Sequence, residues 1–317
     1  MPNWHEVFQE IQAKSRELQN GQNEALKSIT VKYLNALHKL TGRNIIVYYS
    51  GFLSKPEINS SITDEDKNGF MVTIHKLDRS KGLDLFLHTP GGNVSATQSL
   101  VDYLHKMFGT DIRAIVPQIA MSAGTMIACS CKEIFMAKHS NLGPIDPHLR
   151  DIPAYGVIEE FKRACDEVKK DPSTISMWQS IIGKYNPTFL GQCQNAIDRS
   201  SEFVRMQLES NMFDSDPQKS EKAKKIVARL TDFLGNKGHD RHIHSEECLE
   251  MGLKIKSIED EQILEDGDFQ DLVLTIHHCF MFALSNSSVF KIIENQNGVG
   301  ILKALPSRVQ TKNPPAA

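Results

Sequence analysis

The chain has 317 residues, of which 40% are hydrophobic and 24% are charged, and its formal net charge is -3. This composition is that of a globular protein able to bury a sizeable core, and it lacks the basic excess typical of proteins that bind nucleic acid. The N-terminus carries charges throughout, unlike a secretory signal, and the longest apolar run is too short to cross a bilayer. We therefore expect a cytoplasmic protein with no nucleic-acid partner and no integral membrane segment.

In chain order, apolar residues at helical spacing predict two helices between residues 4 and 40, and Gly42 ends this region. Short runs rich in β-branched and aromatic residues then alternate with helical stretches. The predicted strands are 44–50, 83–88, 112–116 and 133–137, and the predicted helices are 62–77, 94–107 and 122–131. Such alternation predicts parallel strands whose C-terminal ends, together with the active-site loops, gather at one edge of a sheet.

Beyond Pro153 the pattern is mostly helical. The predicted helices are 157–169, 173–182, 189–212 and 219–234, followed by an edge strand over 255–258. From these patterns we predict three segments: an N-terminal helical extension (1–42), one α/β domain (43–260), and a C-terminal helical segment with a tail (261–317).

Six cysteines are scattered along the chain, which is typical of reduced thiols in a cytosolic core rather than of a disulfide framework. Cys129 and Cys131 have the wrong spacing for a zinc site, and we interpret both as core residues. A second group of residues of types that bind metals consists of His239, His242, His244 and Cys248. Their spacing is also irregular. We interpret the group as exposed loop residues and expect no metal; without a complete dinucleotide fingerprint, we also expect no cofactor.

Two glycine-containing turns follow successive predicted strands, Pro90-Gly91-Gly92 and Met121-Ser122-Ala123-Gly124. Glycine at a strand-to-helix turn lets the backbone approach a ligand and leaves N–H groups free to bind it. Acyl transfer needs such donors beside a nucleophile, because negative charge develops on the carbonyl oxygen. Ser122, among small neighbours at the start of a predicted helix, is the candidate nucleophile. The alternative is that Ser122 only caps that helix.

Three ordered stretches carry a family resemblance: Leu87-His-Thr-Pro-Gly-Gly-Asn, Ala120-Met-Ser-Ala-Gly-Thr-Met-Ile-Ala and Ser140-Asn-Leu-Gly-Pro-Ile-Asp-Pro. At this spacing they resemble the serine dehydrogenase proteinase family, Clp-fold serine proteinases similar to the Clp proteolytic subunit and to signal peptide peptidase A. The likeness covers roughly residues 44–258. It implies a ClpP/crotonase-like α/β superfold of repeated β-β-α units, with a mainly parallel sheet and helical additions at both ends.

The resemblance also implies roles for individual residues. Ser122 matches the family's nucleophile, the backbone N–H groups of Gly92 and Ala123 match the two oxyanion donors, and Gly91 shapes its turn. Gly252 matches a structural, chain-reversing position near the end of the fold. The implied protein is a homo-oligomer that cleaves peptides or unfolded segments, and we expect it to act without ATP because the chain has no Walker loop.

The sequence leaves the general base open. The Clp proteolytic subunit has a histidine two positions before a proline, where this chain has Ile145. Related membrane-associated proteases use a lysine downstream of the serine, and Lys162, which lies 40 residues after Ser122, is the first expectation. His148 is the second candidate. Asp146, two residues earlier, either orients that histidine or caps a turn.

Two other functions remain open. The crotonase superfold uses the same pair of backbone donors to hold a thioester enolate in acyl-CoA enzymes, but those enzymes need an acidic base where this chain has Ser122. A catalytically inactive oligomeric scaffold is the other alternative, because the Clp-type histidine is absent and a fold alone does not confer activity. Covalent labelling of Ser122 by a fluorophosphonate separates a serine hydrolase from both.

Overall fold

The structure is a computed structural model that describes residues 4–18, 21–149, 152–232, 235, 238, 240–260 and 268–306. Its helices are α1 Trp4–Leu18, α2 Gln22–Thr41, α3 Asp66–Ile74, α4 Val94–Phe108, α5 Ala123–Cys129, α6 Ala154–Lys170, α7 Ile175–Ile182, α8 Phe189–Gln207, α9 Lys219–Leu230, α10 Ser245–Met251 and α11 Asp268–Asn286. Its strands are β1 Asn44–Ser50, β2 Leu83–His88, β3 Ile112–Val116, β4 Ile119–Ala120, β5 Glu133–Met136, β6 Asn141–Leu142, β7 His148–Leu149, β8 Ile152–Pro153, β9 Ile243–His244, β10 Ile255–Ser257, β11 Val289–Asn295 and β12 Gly300–Ala304. No helix within the described ranges combines the length and the apolar character that crossing a membrane requires.

A central sheet organises the fold. Within the described ranges it has seven strands in the order β10-β5-β3-β2-β1-β11-β12. Neighbouring strands from β10 to β1 run parallel, whereas β11 is antiparallel to both β1 and β12. β1 and β2 are buried along their whole length, as expected for parallel strands covered on both faces. The prediction of an α/β fold with a mainly parallel sheet is therefore confirmed.

Helices cover both faces of this sheet. On one face, Ile46 and Tyr48 of β1 lie in a large hydrophobic core that also takes in side chains from α3, α4, α5 and α9. On the other face, Ile45 and Val47 pack with α2 and α11. Successive residues of β1 thus enter opposite cores, because side chains alternate between the two faces of a strand. α1 packs outside α2 and α11 in a smaller cluster.

The C-terminal part contains an element that the sequence patterns did not predict. After α11, strands β11 and β12 form an antiparallel hairpin that extends the sheet beyond β1. The apolar run of β11 is interrupted by the buried charged residues Lys291 and Glu294, which hides the strand pattern. The division of the chain into three segments at residues 42 and 260 stays a prediction. Residues 261–267 and 307–317 lie outside the described ranges, and the second of these ranges covers the expected tail.

Candidate active site

The turns that follow β2 and β4 meet in space. The Thr89 N–H donates a hydrogen bond to the Ile119 carbonyl (3.2 Å), and the Met121 N–H donates one to the Thr89 carbonyl (3.0 Å). The backbone of Gly91 is thereby brought against Ser122: a Cβ atom at Gly91, where φ is 97°, would lie 2.8 Å from the Ser122 Cβ. Since no side chain fits at that distance, only glycine allows the two turns to approach so closely.

The glycine turn is held on its other side by Ile62. The Ile62 N–H donates to the Gly91 carbonyl (2.8 Å), and the Asn93 N–H donates to the Ile62 carbonyl (2.9 Å). A Cβ atom at Gly92 would lie 2.2 Å from the Ile62 nitrogen, so glycine is required here as well. Neither hydrogen bond uses the Gly92 N–H, and no described residue accepts a hydrogen bond from it. This N–H is therefore free to bind a ligand.

Ser122 has a backbone conformation that is unusual for its residue type. Its φ of 51° and ψ of -113° lie outside the regions that non-glycine residues favour. Such outliers cost about 1–3 kcal/mol and cluster at functional sites. Although Ser122 occupies the N-cap position of α5, its side chain makes no capping hydrogen bond. The interpretation that this serine only caps a helix therefore finds no support in the geometry.

Ser122 lines a cleft of about 620 Å³, within the usual range for ligand sites. The walls of the cleft come from the loop around residues 59–63, from residues 90–95, from residues 146–149 and from α8. Gly92 shares this cleft with Ser122. Ala123, the first residue of α5, is buried next to them, and its N–H finds no acceptor among the described residues.

His148 lines the same cleft as Ser122, on strand β7, which pairs antiparallel with β8. Its Nε2 lies 3.5 Å from Oδ2 of Asp146. The imidazole is 33% exposed, whereas the carboxylate is only 5% exposed. A partly exposed histidine that faces a buried carboxylate is the arrangement that orients the general base in serine hydrolases.

Lys162 lies elsewhere. Its Nζ donates to Oε1 of Glu159 at 2.6 Å, and its side chain is 63% exposed. It lines a separate surface groove between α6 and α8 and is not among the residues that line the Ser122 cleft. The buried side of α6 is formed by small and aliphatic residues, so the charged face that carries Lys162 points to solvent. The structure thus does not bring Lys162 together with Ser122.

A buried ion pair fixes the loop that holds the glycine turn. Lys291 on β11 donates from Nζ to the Ser61 carbonyl (2.6 Å) and to Oδ2 of Asp66 (2.9 Å). The Thr63 N–H donates to the same carboxylate oxygen (2.9 Å), so both ends of the Ser61–Thr63 segment are tied to this pair. Burial alone would raise the pKa of Asp66, but the charge and hydrogen bonds of Lys291, with the Thr63 N–H, hold that pKa below its ordinary value.

Two parts of the cleft could not be recognised from the sequence. The loop at 59–63 overlaps the start of the predicted helix 62–77, which in the structure begins only at Asp66, and Arg199 stands among ordinary charged residues of α8. Arg199 enters the cleft because α8 packs against α5, α6 and α9, and its Nε donates to Oε1 of Gln98 on α4 at 2.8 Å. That packing depends on contacts between distant parts of the chain and leaves no local pattern.

The histidines and cysteines considered as possible metal ligands form no metal site in the described part of the chain. No described group of three or more histidine, cysteine or acidic residues is placed to hold a metal ion, and His239 lies outside the described ranges. All six cysteines are free thiols, and all except Cys165 are buried. Cys248 is therefore not the exposed loop residue expected from the sequence, because it lies on the buried side of α10.

Comparisons with known proteins agree with the resemblance seen in the sequence. A family model described as ClpP-like SDH-type serine proteinase matches residues 7–275. Two uncharacterized proteins of Methanocaldococcus jannaschii, MJ0137 and MJ1495, are 32% and 29% identical to this chain over 64% and 65% of its length. These alignments cover 63% and 62% of the two archaeal proteins, which is less than two thirds of either.

Similar solved structures include two variants of 1510-N, a membrane-bound stomatin-specific protease. The variant in complex with a substrate peptide is 18% identical, with a TM-score of 0.38 over 64% of this chain and 73% of that protein. The second variant is 16% identical, with a TM-score of 0.36 over 66% and 80%. These structural likenesses are too distant to support an argument about function. The family match, by contrast, spans most of the sequence, and the chain therefore belongs to the ClpP-like SDH-type serine proteinases.

Proposed function

We propose that this protein is an ATP-independent serine endopeptidase whose nucleophile is Ser122. The observation that carries the proposal is the contact between the Gly91 turn and the Ser122 turn, which opens onto a cleft large enough for a peptide segment. The strained backbone of Ser122 and the unused N–H groups of Gly92 and Ala123 support the same assignment. Membership of a family of serine proteinases agrees with it.

In the proposed reaction, Oγ of Ser122 attacks the carbonyl carbon of the peptide while its proton passes to His148. The N–H groups of Gly92 and Ala123 stabilise the oxyanion by hydrogen bonds. His148 then gives the proton to the leaving nitrogen as the C–N bond breaks, and a water molecule releases the acyl group through the same proton transfers. Asp146 orients the imidazole and stabilises its charged form.

His148 replaces Lys162 as the proposed base on geometric grounds. A general base must come within hydrogen-bond reach of the proton that it accepts. His148 shares the cleft with Ser122 and faces Asp146, whereas Lys162 pairs with Glu159 in another groove. Lys162, the first expectation from the sequence, is kept as the competing candidate in the experiment.

The test is fluorophosphonate labelling and peptide hydrolysis by the purified protein and matched variants. Ser122→Ala should abolish labelling, and both Ser122→Ala and His148→Ala should lower kcat by at least about a thousandfold. Lys162→Ala should retain kcat within about twofold, since removing an exposed pair changes little. Large loss with Lys162→Ala and none with His148→Ala would reverse the assignment of the base. Hydrolysis that survives Ser122→Ala, or a protein that neither labels nor cleaves, would refute the proposal, and the latter result would favour the scaffold.

The substrates, the assembly and the cellular location expected for this protein belong to the same proposal. Peptides or unfolded protein segments are the proposed substrates, a homo-oligomer is the proposed assembly, and the cytoplasm is the proposed location. Light scattering coupled to size-exclusion chromatography tests the assembly directly, because it gives the mass of the particle without reference to its shape.

A further inference from the structure

The charged side chains that line the Ser122 cleft differ in their partners. Asp146 faces His148 within the cleft, but no described carboxylate forms an ion pair with Arg199. By comparison, Arg43 pairs with Asp84 at 2.7 Å, and Arg205, on the same helix as Arg199, pairs with Glu209 at 3.0 Å. The cleft therefore holds a guanidinium whose charge is not matched by the described part of the chain.

The orientation of Arg199 suits a ligand. Arg199 is exposed, and its Nε donates to Oε1 of Gln98 on α4 at 2.8 Å, while the two terminal Nη groups have no hydrogen bond to a described residue. Terminal guanidinium nitrogens form the fork that binds a carboxylate through two parallel hydrogen bonds.

The surroundings of Arg199 favour an anion as well. The first residues of α4, Val94 and Ser95, line the same cleft, and the N-terminal end of this 15-residue helix carries a partial positive charge. The chain as a whole has a net charge of -3, so the cation in the cleft does not reflect a generally basic surface. Among the described residues that line the cleft, no lysine and no other arginine accompanies Arg199 and the start of α4.

We propose that Arg199 binds a carboxylate of the peptide substrate and makes the cleft selective for peptides that carry one near the scissile bond. The proposal rests on the proposed peptidase function and names its substrate class. The carboxylate belongs either to an aspartate or glutamate side chain or to the free C-terminus of the peptide, and the same guanidinium fork accepts both.

The test measures peptide binding in the Ser122→Ala background, where no cleavage takes place. The affinities of fluorescent peptides are compared in matched pairs by anisotropy. In the first set the C-terminus is amidated, and each position in turn carries glutamate in one peptide and glutamine in the other. In the second set a neutral peptide with a free C-terminus is compared with the same peptide carrying an amidated C-terminus. We expect at least one pair to show about tenfold tighter binding of the carboxylate form, as for a charge-assisted hydrogen bond. Arg199→Gln should bring that ratio close to one, and Arg199→Glu should reverse it when lysine replaces glutamate in the peptide.

The matched control is Arg205→Gln, which removes the same charge from α8 outside the cleft and should leave the ratio unchanged. Equal affinities within every pair, no measurable binding, or a preference that survives Arg199→Gln would overturn the proposal. If the preference depends on Arg199 but the protein with Ser122 intact neither labels nor cleaves, the carboxylate site stands and the peptidase proposal fails. If hydrolysis depends on Ser122 but the preference for a carboxylate is absent, the peptidase proposal stands and the carboxylate site fails.

Discussion

Replacing Lys291 by methionine tests how strongly its buried ion pair with Asp66 stabilises the fold. Methionine retains an unbranched apolar side chain but removes the ammonium. The Lys291 side chain is 3% exposed, and its Nζ lies 2.9 Å from the Asp66 carboxylate, whose side chain is fully buried. After the substitution, Asp66 keeps the hydrogen bond from the Tyr48 hydroxyl (2.8 Å) and the ion pair with Lys303 (3.0 Å). The buried Asp66 carboxylate thus keeps only part of the charge and hydrogen bonds that offset the cost of its burial.

Removing one partner of a buried ion pair costs about 3–5 kcal/mol, because the remaining charge is held away from water. Since Lys303 still offsets part of this charge, we expect Lys291→Met to lower the free energy of unfolding by about 3 kcal/mol, measured by urea denaturation at neutral pH. Lys106→Met is the matched control: its 2.7 Å pair with Asp102 lies exposed on α4 and should cost less than about 1 kcal/mol. Equal losses in both variants, or a loss under about 1 kcal/mol for Lys291→Met, would refute the reasoning.

Three further measurements follow from the structure. Gly91→Ala should abolish fluorophosphonate labelling of Ser122, because the new Cβ would lie 2.8 Å from the Ser122 Cβ. Gly252→Ala is the control: Gly252 has a similar φ of 102°, but a Cβ there would have no atom within 4 Å, so labelling should stay intact. Equal labelling of both variants would contradict this. Burial lowers the pKa of His88 to about 4, so this residue binds fewer protons in the native state than in the unfolded chain between pH 6.5 and that value, and the contribution of His88 to the free energy of unfolding should fall by about 3 kcal/mol across this window on acidification. His88→Gln should show a shallower fall in denaturant titrations, and an unchanged slope would count against the assignment. Ellman's reagent should react rapidly with Cys165 in the native protein and slowly with the buried thiols, so the rapid phase should disappear in Cys165→Ser; if it persists, the exposure assigned to the other thiols is wrong.

The parallel strands β1, β2, β3 and β5 could be predicted from the sequence because each is a short, mainly apolar run rich in aliphatic and aromatic residues. β1 and β2 are buried on both faces, and their composition reflects this directly. The C-terminal hairpin could not be predicted in the same way. Lys291 interrupts its apolar pattern, and a lysine is tolerated there only because Asp66, which is far away in the sequence, meets it in the core.

The same distinction separates the parts of the candidate site. The turns at Gly91 and Ser122 each carry a local motif, so their positions at the ends of predicted strands already indicated that they meet. The choice between Lys162 and His148 was different, because spacing along a chain does not determine which face of a helix looks towards a cleft. α6 buries Ala154 and Val157, and Lys162 faces solvent as a result.

The dependence of the glycine turn on Lys291 has a consequence for biosynthesis. The lysine that secures the Ser61 carbonyl is made 230 residues after that serine, so a nascent chain carries both turns long before β11 can dock against β1. Contacts between such distant segments form late, because the entropy of closing a long loop must be overcome first. The Ser61–Thr63 segment therefore reaches its final position only after most of the chain has left the ribosome, which delays assembly of the cleft until the surrounding fold is in place.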